Sequence, residues 1–210
     1  MSVKIGVIGD VHGNLAALTG LLKYIDGTYD HLVFVGDYVN RGRDSAAVIQ
    51  LLVDRSQHRA DSSFVAGNHD IAFLDCLNKG ELSEFLMIGG AATIRSYVSK
   101  PEADVLGQLR RSVPKEHIHF LRNLQPYYLH NGLLVTHAGN NLGKPFQDFS
   151  FHVYGHIPQG SLRPEITKEQ AAIDTGCGTI PGGRLTCVFW PTMNFVQVDS
   201  LGHVIHHELS

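Results

Sequence analysis

The chain has 210 residues, of which 43% are hydrophobic and 18% are charged, and its formal net charge is −3. This balance excludes a disordered chain, lacks the basic footprint of a nucleic-acid-binding protein, and suits a single domain spanning residues 1–210. The three cysteines form no CxxC pair, and no stretch approaches the roughly 18 apolar residues of a membrane helix. We therefore expect a cytoplasmic protein without nucleic-acid or membrane partners.

The first 70 residues repeat the pattern of an apolar strand, a polar loop and a helix. Residues 3–8 predict a buried strand, and Asn14 is a suitable N-cap for the helix that follows. Residues 31–35 and 45–54 predict the second strand and helix, and residues 63–66 the third strand. This βαβαβ order is typical of an α/β fold, in which the loops after the strands line the ligand crevice.

The remainder of the chain divides into a helical part and a strand-rich part. Residues 71–124 predict mainly helix, with Pro101 and Pro114 marking helix starts. After Pro126, two short strands flank Asn131-Gly132, which is a strong hairpin signal. The last part predicts a meander of antiparallel strands at 185–190, 195–198 and 204–206.

Ligand-type side chains follow the predicted strands, each in a turn that contains glycine. Carboxylate, imidazole and amide groups suit two divalent ions of borderline hardness rather than a thiolate site. Asp10 and His12 lie two residues apart on one turn, so both can face one ion, and a central Asp37 could bridge two. The full set is Asp10, His12, Asp37, Asn68, His69, His137 and His156.

Each of these elements alone also has a purely structural explanation. Asn68 could cap a helix, and His137 or His156 could be a structural histidine with its hydrogen bonds satisfied. The ordered succession of five such turns, each at the end of a strand, favours a metal centre over these separate explanations.

Five motifs occur in a fixed order: GD-x-HG, GD-x-V-x-RG, GNH(D/E), HAG and GH-x-P. In this order they resemble the phosphoprotein phosphatase family of the calcineurin-like metallophosphoesterases. That family includes serine/threonine phosphatases and the bacterial symmetrical diadenosine tetraphosphatases. Further segments similar to its bacterial branch are residues 86–97, 114–124, 174–177 and 182–186. The resemblance implies a β-sandwich flanked by helices.

The resemblance also assigns roles to individual residues. It implies that His69 is the general acid and that Arg41 binds substrate phosphate. The cofactor it implies is a pair of divalent ions, with Mn²⁺ favoured and Fe or Zn as alternatives. The first ion would be bound by Asp10, His12 and the bridging Asp37, and the second by Asp37, Asn68, His137 and His156.

Three positions depart from the pattern of the family's phosphatases. Asn40 stands where an aspartate usually supports the general acid, and Ala66 stands where an arginine often precedes GNH. The short segment between His137 and His156 contains no arginine. The diadenosine tetraphosphatases share the first two departures. We expect Asn40 to accept the hydrogen bond of His69 without contributing a charge, which favours anhydrides or other activated substrates.

Three functions are compatible with this site. The first is hydrolysis of phosphomonoesters, either phosphoserine and phosphothreonine in proteins or small phosphate esters, by water activated between two metals. The second is a nucleotide pyrophosphohydrolase of the diadenosine tetraphosphatase type. The third, from another class, is a metal-binding scaffold without turnover. Expected partners are therefore a phosphorylated protein or a small phosphate or nucleotide substrate, and the oligomeric state is left open.

Overall fold

The computed structural model describes residues 3–139 and 149–207, which form two β-sheets and seven helices within those ranges. The helices are α1 (Leu15–Ile25), α2 (Ser45–His58), α3 (Asn68–Lys79), α4 (Leu82–Met87), α5 (Ala91–Tyr97), α6 (Val105–Ser112) and α7 (Lys115–Arg122). The strands are β1 (Ile5–Ile8), β2 (His31–Phe34), β3 (Ser62–Phe64), β4 (Tyr128–His130), β5 (Leu133–Thr136), β6 (Phe151–Tyr154), β7 (Glu165–Ile166), β8 (Gln170–Ala172), β9 (Leu185–Trp190), β10 (Asn194–Val198) and β11 (Val204–His207).

The first sheet has six strands in the order β11-β10-β9-β1-β2-β3. Strands β1, β2 and β3 pair in parallel and are joined by α1 and α2, so the predicted βαβαβ unit is confirmed. Strands β9, β10 and β11 pair antiparallel and extend the sheet from β1, which confirms the predicted C-terminal meander.

The second sheet has the order β4-β5-β6-β8-β7. The predicted hairpin is present between β4 and β5, and both Asn131 and Gly132 have positive φ angles, as its tight turn requires. A strand before His156 was expected without bounds and is β6, whereas β7 and β8 were not predicted; β6 pairs in parallel with both β5 and β8. Strands β7 and β8 have only two and three residues and lack a turn signal like the Asn-Gly pair between β4 and β5, so no local pattern identifies them.

The two sheets pack face to face, and helices cover the outer face of the first sheet. Along β1, Ile5 and Val7 face the sandwich core together with Leu133, Val135 and other residues of the second sheet. Ile8 belongs instead to the core cluster formed with the helices. Because β1 is buried on both faces, its sequence is a continuous apolar run without polar residues. The expected β-sandwich flanked by helices is therefore confirmed.

Local signals set the helix boundaries. The Asn14 side chain accepts a hydrogen bond from the Ala17 amide at 3.0 Å and caps α1, as predicted. Pro114 is the N-cap of α7, whereas α6 begins after Asp104, three residues beyond Pro101. None of the described helices is long and apolar enough to cross a membrane.

Candidate metal centre

Five loops meet at one edge of the sandwich, and each follows the carboxyl end of a strand. The loops after β1, β2 and β3 come from neighbouring parallel strands of the first sheet, and the loops after β5 and β6 from neighbouring parallel strands of the second. Parallel neighbours end on the same side, so the chain topology itself brings the loops together. They contain all six predicted ligands, which are Asp10, His12, Asp37, Asn68, His137 and His156.

The Asp37 carboxylate lies between two groups of ligands. Its Oδ2 is 3.6 Å from His12 Nε2, and its Oδ1 is 3.4 Å from His137 Nε2. A Cβ at Gly67 would lie 2.1 Å from Asp37 Oδ1, so the absence of a side chain there allows the carboxylate to approach α3. One carboxylate that faces two ligand groups is the arrangement of a bridging ligand.

Two buried histidines are oriented by backbone carbonyls. His12 Nδ1 lies 3.1 Å from Val39 O, and His137 Nδ1 lies 3.1 Å from Val35 O. A carbonyl only accepts, so each Nδ1 carries the proton and each Nε2 presents its lone pair to Asp37. Burial lowers the pKa of both imidazoles to about 3, which keeps them neutral and able to bind a metal.

The second group of ligands faces solvent. Asn68 Oδ1 is 2.9 Å from both His137 Nε2 and His156 Nδ1, and these two ring nitrogens are 3.2 Å apart. Asn68 is the first residue of α3 and Gly67 is its N-cap, so the alternative role of Asn68 as a capping residue is wrong. Since Asn68 and His156 are exposed, a substrate can reach the metal centre from this side.

The centre contains more buried negative charge than its own side chains neutralise. Asp10, Asp37, Asp70 and Asp174 are each at most 2% exposed, and none forms an ion pair with Lys or Arg within the described ranges. Burial and neighbouring carboxylates raise the pKa of Asp10 and of Asp37 well above the usual range. Asp174 Oδ2 is buried without a hydrogen-bond partner. Divalent cations fit this donor set because they would compensate its charge.

Sequence reasoning gave no role to Asp70 or Asp174, although both lie in recognised motifs. The Asp70 carboxylate accepts hydrogen bonds from the backbone amides of Asp37 at 2.8 Å, Tyr38 at 2.9 Å and Gly67 at 3.0 Å. It therefore ties the loop of the bridging aspartate to the start of α3. Its position three residues after Gly67, typical of a capping box, was the available signal.

The backbone of the centre is held in a sparsely populated conformation. Eight described non-glycine residues have positive φ, and five of them are predicted site residues. Each such residue costs on the order of 1–3 kcal/mol, so the surrounding packing must enforce the conformation. The five are His12, Asp37, Asn40, Arg41 and His156.

His69 lies beside the first group of ligands. Its Nε2 is 3.8 Å from Asp37 Oδ2, and its ring meets that of His12 edge-on with centroids 4.8 Å apart. Burial, followed by the charges of Arg41 and His156, lowers the pKa of His69 to about 4. The geometry alone would allow His69 to join His12 and Asp37 as a ligand, so its protonation decides its role.

Asn40 contacts His69 differently from the expectation. Its Nδ2, which can only donate, lies 2.9 Å from His69 Nδ1, and its Oδ1 accepts from the Thr93 hydroxyl at 2.7 Å. The expectation that Asn40 accepts the hydrogen bond of His69 was therefore wrong. The side chain of Thr93, distant in sequence, determines which end of the amide faces the histidine.

Arg41 borders the centre from the exposed side. Its charge contributes to lowering the pKa of both His12 and His69, and its side chain packs against Gly89. It forms no ion pair with any residue of the described ranges, so its guanidinium is available to an anion. The segment without arginine that precedes His156 includes residues 140–148, which lie outside the described residues.

Comparison with known proteins identifies the family. The sequence profile described as calcineurin-like phosphoesterase matches residues 3–160, about three quarters of the chain. The chain belongs to the calcineurin-like phosphoesterase family. It is therefore a metallophosphoesterase, and a divalent metal belongs to its site as the family's cofactor.

Two proteins similar to this metallophosphoesterase are bacterial enzymes named bis(5'-nucleosyl)-tetraphosphatase PrpE [asymmetrical]. The protein from Oceanobacillus iheyensis is 29% identical, covering 94% of this chain and 93% of its own length. That from Halalkalibacterium halodurans is 28% identical, covering 94% of each. The crystal structure of a proposed diadenosine tetraphosphatase superposes with a TM-score of 0.67 at 22% identity, covering 95% of this chain and 94% of that one. This last similarity supports the fold.

Proposed function

We propose that this metallophosphoesterase uses two divalent ions to hydrolyse phosphomonoesters and phosphoanhydrides with weakly basic leaving groups, dinucleoside polyphosphates foremost. The observation that carries the proposal is the position of Asp37, whose two oxygens face separate ligand groups, His12 at 3.6 Å and His137 at 3.4 Å. Mn²⁺ is the favoured metal, with Fe or Zn as alternatives, since the donors are carboxylate, imidazole and amide without thiolate.

The chemistry divides between the metals and the protein. Two divalent ions would polarise the phosphoryl oxygens of the substrate and lower the pKa of the attacking water. The chain supplies Asp10 and His12 for the first ion, Asn68, His137 and His156 for the second, and Asp37 for both. Arg41 provides a planar guanidinium that can bind two phosphate oxygens. His69 lies beside Asp37 and would donate a hydrogen bond from Nε2 to the leaving oxygen.

The leaving group is the basis for the substrate proposal. Because His69 Nδ1 faces the Asn40 amide, no carboxylate contacts that nitrogen to stabilise the charged form of the imidazole. A serine alkoxide must be protonated as it departs, whereas a nucleotide phosphate leaves as a stable anion with a second pKa of about 6. The PrpE relatives, named as asymmetrical nucleosyl tetraphosphatases, support this substrate class over phosphoserine.

Other properties follow as parts of the same proposal. The presence of His69 and Arg41 beside a complete ligand set supports an enzyme over a non-catalytic scaffold. All three cysteines are free and buried, which supports a reducing, cytoplasmic location. We propose that residues 1–210 act as one catalytic domain on a small phosphate or nucleotide.

A turnover panel with Mn²⁺ tests the proposal. The substrates are diadenosine tetraphosphate, p-nitrophenyl phosphate and a phosphoserine peptide, each assayed with and without EDTA. We expect kcat/KM to decrease in that order, and chromatography to give ATP and AMP if cleavage of the tetraphosphate is asymmetrical, as the names of the relatives suggest. Two molecules of ADP would instead indicate symmetrical cleavage. Turnover of the peptide above the other two substrates would contradict the substrate proposal.

A further inference from the structure

A buried network of hydroxyl and amide groups contacts His69 through the side chain of Asn40. Asn40, Ser45 and Thr93 are all 0% exposed. Ser45 is the first residue of α2 and Thr93 lies in α5, so two helices contribute hydroxyl groups. The backbone N–H of Asn40 donates to Thr93 Oγ1 at 2.8 Å and to Ser45 Oγ at 3.2 Å, and the two hydroxyl oxygens are 3.0 Å apart.

One orientation of the Asn40 side chain gives every hydroxyl proton an acceptor. Ser45 donates to Thr93 Oγ1, Thr93 donates to Asn40 Oδ1 at 2.7 Å, and Asn40 Nδ2 then donates to His69 Nδ1 at 2.9 Å. Because Nδ1 accepts a hydrogen bond in this arrangement, the proton of the neutral His69 ring must reside on Nε2. That nitrogen is the one directed towards Asp37.

The opposite orientation of the Asn40 side-chain amide leaves one hydroxyl proton without an acceptor. With Asn40 Nδ2 turned towards Thr93, the hydroxyl groups of Ser45 and Thr93 can donate only to each other. One of them donates across this contact, and the proton of the other has no acceptor. Within the described residues, neither Ser45 Oγ nor Thr93 Oγ1 contacts another acceptor. A buried donor without a partner has lost its hydrogen bond to water without replacing it, which favours the first orientation.

We propose that Thr93 and Ser45 are positioning residues that hold His69 as the Nε2-protonated tautomer. A metal ligand needs a lone pair on Nε2, so this tautomer makes His69 a hydrogen-bond donor at the metal centre and prevents it from becoming a ligand. The network thereby gives His69 the opposite tautomer from His12. In His12, Nδ1 donates to a carbonyl and Nε2 is free to bind a metal. The role of the donor in turnover rests on the proposed function, whereas the tautomer itself does not.

Nuclear magnetic resonance of ¹⁵N-labelled protein tests the tautomer directly. Long-range ¹H–¹⁵N correlation spectra of the histidine rings are recorded for metal-free protein and for protein loaded with diamagnetic Zn²⁺. We expect His69 to show a protonated Nε2 and an unprotonated Nδ1 in both states. Thr93→Ser keeps the hydroxyl and should preserve this pattern, whereas Asn40→Asp offers Nδ1 only acceptors and should move the proton to Nδ1.

Thr93→Val removes the hydroxyl while keeping the shape of the side chain. It should lower kcat about 10-fold or more, with unchanged metal content, while Thr93→Ser stays within about twofold of wild type. If the Val variant fails to fold, Thr93→Ser and Asn40→Asp still test the proposal through the ring spectra. Wild-type His69 with its proton on Nδ1, or with Nε2 bound to Zn²⁺, would overturn it. The expected tautomer in a protein that hydrolyses nothing in the panel would refute the proposed function alone.

Discussion

Among single residues, Arg41 can be replaced without removing any predicted metal ligand. A charge-assisted hydrogen bond to phosphate contributes about 1.5–3 kcal/mol, so we expect Arg41→Ala to lower kcat/KM about 10- to 100-fold. The metal content should not change. Arg43→Ala is the matched control, because Arg43 is exposed on the same loop and forms no ion pair in the described parts of the chain. Equal losses in both variants would show that only the general positive charge of this loop matters.

The site residues that could be predicted share one property: they lie in short motifs directly after strands. The six predicted ligands, His69 and Arg41 all lie in such motifs, and the structure places them at one edge of the sandwich. The orientation of the Asn40 amide could not be predicted, because it depends on Thr93, 53 positions further along the chain. Asp174 likewise could not be placed from the sequence, because it lies near Asp10 only after the chain returns to this edge. There its charge adds to burial in raising the pKa of Asp10.

At the scale of elements, the connection between α4 and α5 supports Arg41. Gly89 has a φ of +93°, and a Cβ there would lie 2.9 Å from Arg41 Cδ. We expect Gly89→Ala to displace the guanidinium and to reduce kcat/KM about 10-fold, in the direction of Arg41→Ala. Gly27→Ala is the control, because Gly27 has a φ of +73° but a Cβ there would meet no atom within 4 Å.

Both glycine variants should lose stability through backbone strain, on the order of 1 kcal/mol. Urea unfolding of the two proteins measures that loss, and steady-state kinetics under folded conditions measures the effect on activity. Comparable activity of the two variants would show that Gly89 acts through the backbone and not through Arg41.

Strand β6 contains a histidine that should make stability depend on pH. His152 is buried, and its Nε2 lies 2.8 Å from Thr136 Oγ1. Because that hydroxyl donates to Ala138 O, Nε2 is the donor in this contact. Burial lowers the pKa of His152 from 6.5 to about 4. Between these values the unfolded chain binds a proton that the folded chain does not. The free energy of unfolding should therefore be highest above pH 6.5 and should fall as the pH falls towards 4, by at most about 3 kcal/mol from this residue.

Urea unfolding of metal-free protein at several pH values measures this contribution. His152→Gln can still donate to Thr136 but cannot titrate, so its stability should decline less between pH 6.5 and 4 than that of the wild type. The buried histidines of the metal centre are present in both proteins, so the difference between the two profiles isolates His152. Parallel profiles would contradict the assignment.

The elements differ in how far sequence alone could locate them. Strands β1 and β2 and helices α1 and α2 were predicted because apolar periodicity, turn glycines and an N-cap agree. Strands β7 and β8 have two and three residues, and their positions are set by pairing, β8 with β6 and β7 with β8, rather than by their own composition. The mixed character of the second sheet was therefore visible only in the structure.

At the scale of the whole molecule, the sandwich brings the carboxyl ends of β1, β2, β3, β5 and β6 to one edge and buries four carboxylates there. Uncompensated buried charge destabilises the folded state, so ions that bind only that state should stabilise it. The metallophosphoesterase should unfold at a higher temperature in the presence of Mn²⁺ than in EDTA. Because two ligand groups share Asp37, we expect two ions to produce this stabilisation.

The number of bound ions tests the central claim, a two-metal centre bridged by Asp37. Protein is saturated with Mn²⁺, freed of excess metal and analysed by elemental mass spectrometry against protein concentration. We predict two ions per wild-type chain and a loss at both sites in Asp37→Ala, with His69→Asn retaining both ions. The Arg43→Ala variant, which changes no predicted ligand, controls for handling. At most one ion in fully loaded wild type, or an Asp37→Ala variant that keeps two, would contradict the account.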